Sequence, residues 1–204
     1  MSNTARYYLL FKPYGYLSQF TKEHPDHKTL ADLCPGIPKD VFPVGRLDKD
    51  SEGLLLLTSD RTVNARLLNP NFKHDRIYQI QVEGVPNEES IAELEDGPAI
   101  KVGKSRHSCL PCVAILLKEA PKFPERNPPI RVRKTVPDSW LQLTLREGKN
   151  RQVRKMCAAI GYPVLRLLRT AIEGLNLEEM TLGELKEVDK EFFYEELKLN
   201  KEKS

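Results

Sequence analysis

Short apolar segments, cut apart by prolines and glycines, set the rhythm of this chain. Tyr7 to Phe11 is apolar throughout and stops at Lys12-Pro13-Tyr14-Gly15, the composition of a strand running into a turn. After the polar segment Thr21 to Lys28, Leu30 to Leu33 is long enough for one helical turn, ended by Cys34-Pro35-Gly36. Val41 to Val44 reads as a strand, and the continuous run Leu54 to Leu57 as a strand buried on both faces. Between them lies the polar loop Gly45 to Gly53. Ser59 or Asp60 caps a helix to about Leu68. Tyr78, Ile80 and Val82 alternate with polar neighbours, the period of a half-buried strand. Asn87 caps a further helix to about Glu95, closed by Gly97.

Val113 to Leu117 is again strand-like, but Pro121 to Pro137 holds five prolines and is expected to run as an extended excursion. Leu141, Leu143 and Leu145 alternate as a strand. Gly148 and Asn150 open a helix to about Ile160, with Gly161 at its end. Strands at Leu165 to Ile172 and Leu185 to Val188 follow, and from Lys190 the pattern does not decide between helix and frayed tail. Strands outnumber helices without strict alternation, which predicts an α+β fold with a mixed, mostly antiparallel sheet flanked by helices.

Composition narrows the class. At 204 residues, 40% hydrophobic and 30% charged, the chain has the balance of an ordinary globular protein. No apolar run approaches the roughly 20 residues of a membrane span, and Tyr7 to Phe11 is too short for a signal sequence, so a cytoplasmic location is expected. Four scattered cysteines do not make a disulfide framework. His107-Ser108-Cys109-Leu110-Pro111-Cys112 has C-x-x-C spacing but lacks the second pair of a structural zinc site, so no metal is expected. The net charge of +3 conceals a segregation: Lys122 to Arg169 carries 12 basic residues against 3 acidic ones, and Glu173 to Glu196 is acidic. A basic stretch of that density can supply a phosphate-binding face.

The chemistry concentrates in Gly45-Arg46-Leu47-Asp48-Lys49-Asp50-Ser51-Glu52-Gly53, which sets five charges and two glycines between two apolar strands. A loop held by a rigid sheet suits catalysis, although a charged turn accounts for the same residues. Gly45-Arg46-Leu47-Asp48 with Ser51-Glu52-Gly53-Leu54-Leu55 resembles the catalytic motif of the pseudouridine synthases that modify ribosomal RNA, the family typified by small-subunit synthase A. Phe11 to Gly15 is similar to that family's first motif and Arg76-Ile77-Tyr78 to its basic-x-tyrosine motif. Glu147-Gly148-Lys149-Asn150-Arg151-Gln152-Val153-Arg154-Lys155-Met156 is similar to its third. Four motifs in order, continuing to Leu167-Leu168-Arg169, cover most of the chain.

The resemblance implies a catalytic domain over residues 1–189, built as two packed subdomains with an RNA cleft between them, and a charged tail at 190–204. The chain opens almost directly on the first motif, so no preceding S4-type RNA-binding module is expected. The implied reaction is isomerisation of one flipped-out uridine in large-subunit (23S) ribosomal RNA, in the peptidyl-transferase region, without a cofactor. Asp48 would attack the sugar or abstract its 2′ proton; the sequence does not separate the two. Arg154 would be its ion-pair partner, and Tyr78 would stack on the uracil and carry the carbon-5 proton. Arg46 would help displace the base or anchor on phosphate, and Leu167 would floor the pocket or belong to the core. Arg126, Arg131, Arg133, Lys134, Lys149 and Arg151 are candidates for an RNA track. With no dimerisation stripe, a monomer is expected. The rivals are a non-catalytic RNA-binding protein on the same fold and a small-molecule hydrolase using Asp48.

Overall fold

The computed structural model describes residues 5–69, 72–130, 133 and 135–200. In chain order the elements are β1 (Tyr7–Lys12), β2 (Tyr16–Leu17), β3 (Lys28–Thr29), α1 (Leu30–Leu33), β4 (Phe42–Val44), β5 (Glu52–Thr58) and α2 (Arg61–Leu68). There follow β6 (Arg76–Glu83), α3 (Glu88–Asp96), β7 (Ala99–Val102), β8 (Ser105–Ser108), β9 (Val113–Leu116), β10 (Asp138–Leu145) and α4 (Gln152–Ala159). The chain closes with β11 (Val164–Ile172), β12 (Leu175–Asn176), β13 (Leu185–Val188) and α5 (Lys190–Glu196). This is the expected α+β composition.

Local chemistry accounts for most boundaries. Asp60 caps α2 by accepting from the Thr62 N–H, and Asn87 caps α3 by accepting from the Ser90 N–H. Gly97, at φ +84°, ends α3 in the left-handed region, where a β-carbon would run into the backbone carbonyls of Cys109 and Leu110. The helix expected to open at Gly148 and Asn150 starts instead at Gln152, because Arg151 adopts φ +52° and residues before it form a turn.

The chain forms two compact units. The first comprises residues 1–74 and 169–204. In it β1 pairs antiparallel with both β13 and β5, and β4 pairs antiparallel with Leu56–Thr58 of β5. Because every residue of β5 is buried, the apolar run Leu54–Leu57 needs no alternation. One face of this unit's sheet packs Tyr8, Leu10, Leu55 and Leu57 against Leu30, Cys34, Val41 and Leu47. The residues left undecided after Asp189 form α5, with Phe193, Leu197 and Leu199 buried. Tyr7 and Phe193 place their ring centroids 4.9 Å apart.

The second unit is the uninterrupted stretch 75–168. Here β10 lies antiparallel between β6 and β9, with Leu141 opposite Ile80 and Leu143 opposite Tyr78. Its core joins Ile80, Val82, Leu141 and Leu143 to Leu94 of α3 and to Val153, Met156 and Cys157 of α4. A hairpin the sequence pattern did not disclose, β7–β8, contributes Ile100 to that core. Strand β11 belongs to both units, its residues to Leu168 in the second and from Arg169 in the first.

Candidate active site

In the first unit the Asp48 loop is held almost carbonyl by carbonyl. The buried Ser18 hydroxyl donates to the Leu47 carbonyl (2.8 Å) and accepts from the Leu47 N–H (3.0 Å). The Asp48 carbonyl accepts from the Ser51 N–H (3.0 Å), and the Lys49 carbonyl from the Gly15 N–H (2.8 Å). The Ser51 carbonyl accepts from Lys12 Nζ at 2.7 Å. The turn Lys12–Gly15 and the loop therefore brace each other, which gives the first motif its work. Asp48 itself is half-buried rather than enclosed, and Arg46 is exposed with one guanidinium N–H on Gln19 Oε1 (3.3 Å).

Lys12 is fully buried. Desolvation pushes its ammonium down to about 7, against the opposing pull of the Glu52, Asp50 and Asp48 carboxylates. A base that binds its proton more weakly when folded makes the unfolded chain the better proton binder, so stability rises with pH. The penalty is complete below about 7 and fades as pH approaches the ordinary lysine value of about 10.4. Wild type is thus expected to gain on Lys12→Met, on the order of 4 kcal/mol at most, between pH 7 and 10. Urea midpoints of both proteins across that range measure it; a constant difference would mean an ordinary lysine.

Gly53 closes the loop at φ +116°, directly opposite Lys12 in the β1–β5 register. A β-carbon there would overlap the backbone carbonyl of Arg169. The buried Arg169 side chain in turn donates from Nε to the Leu54 carbonyl at 2.9 Å.

In the second unit Tyr78 and Leu167 are both buried and belong to one apolar cluster. Arg154 lies half-buried on α4, whose Val153 and Met156 enter the same cluster. The third motif is folded by Gln152, a buried side chain that accepts from the Lys149 N–H (2.9 Å) and donates to Glu147 Oε1 (2.6 Å). That pair of bonds turns residues 147–152 outward and leaves Lys149 and Arg151 exposed.

The basic stretch divides by role. Arg126 donates to the carbonyls of Pro128 (2.8 Å), Pro129 (3.2 Å) and Leu165 (3.4 Å), and buried Arg166 to that of Pro124 (2.8 Å). These two arginines pin the proline-rich excursion to β11. Arg133 pairs with Glu83 at 2.7 Å. Arg131 and Lys134 lie outside the described residues. Ser18 and Arg166 were not singled out from the sequence, and Gln152 and Arg169 stood there only as members of motifs; their work is hydrogen bonding, which leaves no periodicity to read.

The sequence profile of the RNA pseudouridylate synthase family matches residues 6–159, and the chain belongs to that family of RNA-modifying isomerases. It is similar to ribosomal large subunit pseudouridine synthase E of Xanthomonas axonopodis pv. citri, 49% identical over 173 residues, 84% of this chain and 88% of the relative. The enzyme of the same name from Vibrio vulnificus is 43% identical over 189 residues, 92% of this chain and 77% of its own. A crystal structure of a pseudouridylate synthase superimposes with a TM-score of 0.75 at 25% identity, covering 95% of this chain and 74% of that one. No helix among the described residues is long and apolar enough to cross a membrane.

Proposed function

We propose that this protein converts one uridine of large-subunit ribosomal RNA to pseudouridine, with Asp48 as the reacting group. The observation that carries the reading is the Asp48 loop, a half-buried carboxylate on a turn whose Leu47, Asp48, Lys49 and Ser51 carbonyls are held by the protein. Such a fixed backbone presents the carboxylate in one geometry, as an attacking or proton-abstracting group requires. The names of the similar synthases from Xanthomonas and Vibrio support the choice of large-subunit RNA.

In the reaction the bond from uracil N1 to ribose C1′ breaks, the base turns, C5 bonds to C1′, and the C5 proton leaves while N1 gains one. Asp48 either attacks C1′ or removes the 2′ proton to start the cleavage. Tyr78 stacks on the uracil and relays the C5 proton, Arg154 is the charge partner of Asp48, and Leu167 lies under the base. Arg46 displaces the base or holds phosphate, exposed Lys149 and Arg151 meet the backbone, and Arg126 keeps the excursion in place beside it. The reading extends to a monomer in the cytoplasm acting in the peptidyl-transferase region.

The test is pseudouridine mapping of unmodified ribosomal RNA, free and in large subunits, after incubation with the protein. A single new site in the peptidyl-transferase region is expected; RNA retained without any new pseudouridine would favour a binding protein instead. Tyr78→Phe keeps the ring but not the hydroxyl. It is expected to retain RNA and to slow conversion by about 10²–10⁴-fold, and an unchanged rate would remove the phenol from proton transfer.

A further inference from the structure

A second group of chemically capable side chains lies within the second unit, outside the residues assigned a step in the isomerisation. His107 ends on β8, Cys109 follows that strand, and Glu147 follows β10. Their ligand atoms, an imidazole nitrogen, a thiol sulfur and a carboxylate oxygen, all lie within 4.8 Å of one another. We propose that His107, Cys109 and Glu147 bind one zinc ion, with water in the fourth position.

The geometry favours a site over an incidental ion pair. Glu147 Oε1 accepts from the Leu110 N–H (2.8 Å) and from Gln152 Nε2 (2.6 Å), donors from two different segments. They fix the carboxylate and aim Oε2 at His107 Nε2, 2.9 Å away. Outer partners that orient a carboxylate ligand in this way recur around protein metals. A nitrogen, a thiolate and a carboxylate make a set that suits zinc, whose tetrahedral ligands stand about 3.3–3.7 Å apart. Cys109 and Glu147 are buried, while the His107 side chain is 29% exposed, which leaves an entry path and room for the water.

The C-x-x-C spacing, from which no metal was expected, is not what builds this cluster. Cys112 turns away and donates its thiol to the Leu94 carbonyl at 3.2 Å. The partners of Cys109 come instead from one strand before it and from the third motif. A bound ion would tie the end of β8 to the turn that presents Lys149 and Arg151, independently of whether the protein modifies RNA.

The test is spectroscopic and does not depend on activity. The full chain, stripped of metal by a chelator, is titrated with Co²⁺ and then with Zn²⁺. Wild type is expected to take up one equivalent of Co²⁺ with the intense d–d bands of tetrahedral geometry and a thiolate-to-cobalt charge-transfer band, both erased by Zn²⁺. Cys109→Ser should lose the charge-transfer band, His107→Gln should bind at least about tenfold more weakly, and Cys112→Ser should match wild type. Circular dichroism establishes that each variant is folded. The proposal is overturned if folded wild type gives no saturable cobalt spectrum. It is equally overturned if the thiolate band survives in Cys109→Ser or disappears only in Cys112→Ser.

Discussion

Asp48→Asn is expected to abolish pseudouridine formation while leaving fold and RNA retention intact. Asparagine keeps the shape of the side chain, and the bonds that shape the loop come from Ser18, Ser51, Gly15 and Lys12 to backbone groups. What changes is the charge: a neutral amide neither attacks C1′ nor accepts the 2′ proton. Removing a group that carries the bond-breaking step lowers turnover by at least about four orders of magnitude in comparable enzymes. Mapping the target uridine under single-turnover conditions, beside filter retention of the same RNA, reads both effects. Conversion within tenfold of wild type would transfer the chemistry to another residue.

The largest structural effect is expected from Gly53→Ala. Alanine pays twice here, once for φ +116° and once for the overlap with the Arg169 backbone, which cannot swing aside as a side chain would. A loss of about 4 kcal/mol or more follows, a large share of the 5–15 kcal/mol that typically holds a domain folded. Gly103→Ala is the control. Gly103 also has a positive φ, +60°, but nothing lies within 4 Å of its β-position, so the cost should be about 1 kcal/mol. Urea unfolding of both variants decides it. Equal midpoints would show that the Arg169 strand yields to the added methyl.

What could be read beforehand follows physical lines. Strand β6 was legible because its buried residues alternate strictly, and α2 and α3 because Asp60 and Asn87 are strong caps. The hairpin β7–β8 was not, since Ile100 is its one fully buried side chain and a single apolar position has no period. Helix α5 escaped for a similar reason: Phe193 is buried while the adjacent Phe192 stays 47% exposed, so its pattern is too short to declare a face. In the site, Asp48 stood out through its motif, whereas Ser18 acts across 29 residues of sequence on Leu47. The basic stretch also looked more exposed than it is. Arg166 and Arg169 are buried and each donates to a backbone carbonyl, so a count of charges overstated the surface they offer to phosphate.

The interrupted build of the first unit has a consequence for synthesis. Its first 74 residues leave the ribosome early, carrying Asp48, but β13, α5 and the Arg169 end of β11 come only after the whole stretch 75–168. The second unit is contiguous and can collapse as its own segment is delivered. Strand β1, meanwhile, lacks its β13 neighbour on one side, and Gly53 lacks the backbone it fits against. Long-range pairing of that kind is slow to close. The nascent chain therefore carries the Asp48 loop on an unfinished scaffold until residues 169 onward have been made, when β1 gains β13 and Gly53 gains the Arg169 backbone.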